Sequence, residues 1–70
     1  RKPFPKEWIH DGNYYRTPGG CKVIRWNTGY AENFLVERYI SAYNVHSKSV
    51  PPGIDSREKV MKLVEEFERI

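Results

Sequence analysis

Residues 8–26 read WIHDGNYYRTPGGCKVIRW, and the fold turns on how this stretch pairs with itself. Asp11-Gly12 and Gly19-Gly20 are dipeptides that supply the positive φ angles of tight primed turns, and they separate short runs of aromatic, β-branched and basic residues. The pattern predicts a three-stranded antiparallel meander over 6–26. With two-residue turns, Ile9 faces Tyr14, Trp8 faces Tyr15, Arg16 faces Val23, Tyr15 faces Ile24 and Tyr14 faces Arg25. One face then gathers Trp8, Tyr15 and Ile24, with Trp26 further along, and is apolar enough to need a helix over it. The other gathers Glu7, Ile9, Tyr14, Arg16, Val23 and Arg25, a mixture that suits a binding surface.

Outward from the meander, residues 1–5 (RKPFP) read as a basic extended arm, because each proline removes a donor and keeps its predecessor out of the helical region. Asn27-Thr28-Gly29 breaks the strand pattern and offers a helix cap. A helix is expected over 30–44, since Leu35, Val36, Tyr39, Ile40 and Tyr43 fall within one arc at 100° per residue. A strand there would put Phe34, Val36, Arg38 and Ile40 on one side, mixing charge into an apolar row. Residues 45–54 are a loop containing Pro51-Pro52-Gly53. A second helix is expected over 55–70, opened by a capping box of Asp55 and Glu58 and carried by Val60, Met61, Leu63, Val64, Phe67 and Ile70. The fold class expected is therefore α+β: a small three-stranded antiparallel meander covered by one helix and followed by a second, C-terminal helix.

Seventy residues make a single domain, 1–70, whose core is small. The lone Cys21 excludes an internal disulfide, and no Cys/His spacing matches a zinc site, so neither a metal nor a cofactor is expected. This fits an intracellular compartment, nuclear or nucleoid. Starting at Arg rather than Met, the chain reads as an excised fragment of a longer protein. No apolar run is long enough for a membrane span, and no signal-peptide pattern is present. The net charge is +3. Residues 1–30 carry six basic residues against two acidic ones, whereas 55–70 carry four against five, so the positive field belongs to the sheet.

A catalytic reading fares badly, and no enzyme is expected. Cys21 has no histidine near it in sequence, Asp11 is explained by the turn it starts, and His10 and Asp11, adjacent on a strand, point to opposite faces. Gly19-Gly20 precedes a strand rather than a helix and lacks the spacing of a phosphate-binding loop. The basic, aromatic outer face carries the stronger signal. An antiparallel ribbon can enter a DNA major groove, where Arg16 and Arg25 would read base edges and Tyr14 would reach phosphate or stack. Lys2, Lys6 and Lys22 would neutralise phosphates.

Trp8, Tyr14-Tyr15, Pro18, Gly20 and the Phe34-Leu35…Tyr39-Ile40 segment together resemble the methyl-CpG-binding domain family. The FP…W…DGNYY…PGG pattern is also similar to the arm-binding domains at the amino end of phage-type tyrosine integrases. Both resemblances, carried by roughly Phe4 to Tyr43, imply a three-stranded sheet with a helix behind it and DNA bound through the sheet. The functional expectation is a non-enzymatic double-stranded DNA-binding module of a larger chromatin, transcription-regulating or recombination protein. The alternative is a protein-interaction module, a peptide or histone-tail reader or a subunit-docking domain, using the same aromatic surface or the C-terminal helix. Neither reading involves a membrane or a small-molecule substrate.

Overall fold

In the computed structural model, which describes residues 2–70, five strands run in chain order: β1 (Ile9–Asp11), β2 (Tyr14–Arg16), β3 (Cys21–Thr28), β4 (Ala31–Ser41) and β5 (Asn44–Val50). They form one antiparallel sheet in the order β1-β2-β3-β4-β5, and a single helix, α1 (Ser56–Glu68), lies across one face. A five-stranded meander with one helix thus replaces the expected three-stranded meander with two.

The difference arises at residues 30–50: β4 stands where a helix was expected over 30–44, and β5 takes most of the stretch 45–54 that was expected to be a loop. Gly29, at φ +63°, and Tyr30 form a two-residue hairpin loop between the paired Thr28 and Ala31, so Asn27 and Thr28, read as a helix cap, end strand β3 instead. β4 then alternates: Phe34 and Val36 are fully buried under the helix, while Leu35 and Tyr39 face the other way. Arg38, the charge that argued against a strand, and Glu32 on the same face are both accommodated at the ends of α1. Glu32 accepts hydrogen bonds from Arg25 and Arg57, and Arg38 donates to the carbonyls of Phe67 and Ile70 at the helix C-terminus. The apolar row of β4 is therefore bracketed by paired charges.

The second turn departs from the expected geometry and changes every face beyond it. Thr17 donates its N–H to the Cys21 carbonyl at 3.0 Å, which leaves a three-residue loop, Pro18-Gly19-Gly20, with Gly20 at φ +94°. Arg16 consequently pairs with Lys22 and Tyr15 with Val23, one residue out of the expected register. A slip of one inverts the strand, so Val23 and Arg25 turn toward the helix and Ile24 and Trp26 turn away. In the first hairpin the loop is Gly12-Asn13, and Ile9 pairs with Arg16. That is a shift of two, which preserves the faces.

The core is Cys21, Val23, Phe34, Val36 and Val50 from the sheet against Val60, Leu63 and Val64 from α1. Residues 2–5 close its margin rather than extend as a free arm. Phe4 stacks on Trp8 at 4.9 Å and meets Tyr15 and Phe34 edge-on at 4.9 and 5.6 Å. Arg1 of the expected arm lies outside the described residues. Lys6 and Glu7 form a turn, so the first strand begins at Ile9. Asp55 occupies the N-cap position of α1 without a side-chain cap bond, and its carboxylate lies 3.7 Å from Lys59 instead.

Candidate functional site

Among the described residues no element lies over the face of the sheet opposite α1, and the register sorts its side chains into rows. Asp11, Tyr14, Ile24, Leu35 and Ser49 form one row across the strands. Ile9, Arg16, Lys22, Glu37 and Ser47 form the next. Trp26 sits beside Asn33 at one end of the face and Tyr39 beside Val45 at the other. Ile9, Trp26 and Tyr39 are 65%, 45% and 66% exposed, a large apolar content for a surface in water.

Tyr14 has partners on both sides of it on this face. Its hydroxyl donates to Asp11 Oδ2 at 3.4 Å and accepts from Arg16 Nη2 at 3.1 Å, and Lys22 Nζ lies 4.4 Å from its ring centroid. The bond to Tyr14 raises the Arg16 guanidinium above its ordinary value, so Arg16 is a fixed cation. Strand geometry places Trp26 about 8 Å from Tyr14, two residues along and one strand across, and about 20 Å from Tyr39. Asp11 and Glu37 balance Arg16 and Lys22, so the face is aromatic and charge-neutral rather than uniformly positive.

Of the residues expected to contact DNA, the structure brings Tyr14, Arg16 and Lys22 together on this face. Arg25 is not with them. It lies on the covered side, its Nε 2.6 Å from Glu32 Oε2, where Arg57 also binds the same carboxylate at 2.9 Å. A surface that reads with Arg16 and Arg25 together does not exist, because the three-residue loop put them on opposite sides. Lys2 lies beside α1, with Nζ 3.8 Å from Glu58 and its carbonyl accepting from Arg57. Lys6 is exposed in the turn before β1. Trp26 and Tyr39 are the residues that sequence reasoning misplaced, the first in the core and the second in a helix. No alternation marks the latter, because β4 carries large apolar side chains on both faces.

Other chemistry finds little support in the geometry. Cys21 is 2% exposed and burial pushes its thiol up, away from a reactive thiolate. Among the described residues no group of three or more His, Cys, Asp or Glu side chains is placed to hold a metal ion. No helix among them is long and apolar enough to cross a membrane. No protein-family model, curated protein or solved structure matches this chain. The segment on which the methyl-CpG and integrase resemblances place a helix is β4.

Proposed function

We propose that the open face of the sheet binds single-stranded nucleic acid, stacking bases on Trp26, Tyr14 and Tyr39 while Arg16 and Lys22 meet phosphates. The observation that carries this is the placement of three aromatic rings from three neighbouring strands on the uncovered face, beside two cations. Every base offers a π-face, so such a platform holds a single strand with little demand on charge. Duplex reading fits this shape less well. Five strands span about 19 Å at the usual spacing, whereas a major groove is about 12 Å wide.

The test is fluorescence polarisation with labelled octamers of dT and rU and a 12-base-pair duplex, at about 50 mM salt. Binding of the octamers is expected, and Trp26→Ala or Tyr39→Ala should each weaken it about tenfold, in line with about 1–3 kcal/mol per stacked base. Lys59→Gln, on the helix, should change nothing. No octamer binding, or binding indifferent to Trp26→Ala and Tyr39→Ala, would remove the proposal.

The balanced charges and the apolar Ile9, Ile24, Leu35 and Val45 favour a second reading, a protein-docking face. Concentration-dependent self-association abolished by Trp26→Ala, with no octamer binding, would favour it over the first.

A further inference from the structure

Among the described residues β5 is an edge strand, paired with β4 on one side only. In an antiparallel ladder alternate residues aim both N–H and C=O at the neighbour and the rest aim them outward, so this strand offers a row of unpaired backbone groups. Beside that row, on the helix side of the sheet, runs a groove of about 260 Å³. Val50 and Leu63 form part of its wall, and Lys48, Lys59, Lys62 and Glu66 line it. Lys59, Lys62 and Glu66 are spaced i, i+3, i+7 and so share one side of α1, while Lys48 pairs with the buried Val36 and belongs to the covered row.

We infer that this edge takes up an extended acidic peptide as a sixth strand, hydrogen-bonded to β5 and lying beneath the lysines of α1. Period two decides the sequence of such a guest. Side chains on its helix side meet Lys48, Lys59 and Lys62 and should be acidic, whereas those on the other side continue the open face beside Val45, Ser47 and Ser49. Three lysines stand against one carboxylate in the groove. Lys59 also makes an exposed 3.7 Å contact with Asp55, of the kind that exchanges readily for a better partner. A second copy of this chain is a poor occupant, because two-fold pairing at β5 would bring two lysine rows together. Lysines on an edge discourage pairing with neutral or basic strands, and the same charges admit an acidic one.

The probe is the peptide Glu-Val repeated four times, capped at both ends, titrated into the ¹⁵N-labelled protein. Controls are Lys-Val repeated four times, a peptide of the same composition with its four Glu before its four Val, and an alternately N-methylated Glu-Val peptide. Amide shift changes confined to residues 44–50 and 59–66 are expected for the Glu-Val peptide alone. The double variant Lys48→Glu, Lys62→Glu should bind it at least tenfold more weakly and should now accept the Lys-Val peptide, which shows that the variant is folded. Absence of binding at 1 mM, equal binding of the N-methylated or block peptide, or shifts centred on Trp26 and Tyr39 would overturn the inference. So would an octamer of dT moving the β5 and α1 amides, since that would make the lysine row a phosphate site. Because α1 lies on the other side of the sheet from Tyr14, Trp26 and Tyr39, the amides of residues 59–66 tell these results apart from success or failure of oligonucleotide binding on the open face.

Discussion

Glu68, in the last turn of α1, accepts the Thr17 hydroxyl hydrogen at 2.7 Å, joining residues 51 positions apart. The same Oε2 accepts the Gly19 N–H at 3.1 Å, and Thr17 Oγ1 in turn accepts the Cys21 N–H at 3.0 Å. One helix carboxylate therefore ties down the loop whose length sets the register of β3. Charge-assisted bonds of this kind contribute about 1.5–3 kcal/mol, a large share of what so small a domain has. Glu68→Ala and Thr17→Ala should each lower the urea midpoint. The double variant should cost clearly less than the two singles added, measuring their coupling.

Gly19→Ala should act through the same contact. A Cβ at Gly19 would lie 2.2 Å from the Glu68 carboxyl carbon, so the carboxylate must swing away and release both the Thr17 hydroxyl and the loop N–H. A loss of about 1–3 kcal/mol in urea unfolding is expected. Glu68→Ala should make Gly19→Ala nearly neutral. An additive loss in that background would remove the clamp as the reason for the glycine.

Some of this architecture could be read from the chain and some could not, for reasons that separate by range. α1 was legible because Val60, Leu63, Val64 and Phe67 repeat at helical spacing against a polar remainder. β4 was not, because it has large apolar side chains on both faces, Phe34 and Val36 inside and Leu35 and Tyr39 outside, which hides the alternation. The partners that let Glu32 and Arg38 sit on its covered face, Arg57 and Phe67, are 25 and 29 residues away. The aromatic and basic content of the outer face was visible in Tyr14, Arg16 and Lys22. Its exact membership depended on a loop one residue longer than Gly19-Gly20 implied, and that loop is held by Glu68 from the far end of the chain.

Glu32 should matter to stability and not to the open face. It lies largely buried between Arg25 and Arg57, and the bonds to Arg57 raise that guanidinium above its ordinary value. Arg57 also covers the Phe4 ring at 4.7 Å, so the carboxylate helps hold the residue that closes the core margin. Glu32→Ala leaves two cations without this partner and should cost about 2–4 kcal/mol, with Glu32→Gln milder. Thermal unfolding by circular dichroism gives the order; a loss confined to Glu32→Ala, with Glu32→Gln as stable as the wild type, would place the effect in packing rather than charge.

Cys21 makes stability pH-dependent on the alkaline side. Burial raises its thiol in the folded chain, while the Thr17 contact partly opposes this. The folded state then holds the proton longer than the unfolded one, so the contribution is complete below the ordinary thiol value and is lost as pH rises above about 9. The difference in unfolding free energy between the wild type and Cys21→Ala should shrink as pH rises above about 9. A difference constant with pH would mean that the thiol titrates alike in both states.

Salt dependence distinguishes stacking from charge on the open face. If Arg16 and Lys22 alone meet phosphates, a single strand releases counterions at two sites, and log K should fall by about 1.4 per tenfold rise in salt. Arg16→Gln should halve that slope, whereas Trp26→Ala should lower affinity at every salt concentration and leave the slope unchanged. Glu37 stands opposite Lys22 on β4 and would repel the same phosphates, so Glu37→Gln should strengthen binding most at low salt. A slope several times steeper would require cations from elsewhere on the molecule, such as the lysines of β5 and α1, and would move the binding site off this face.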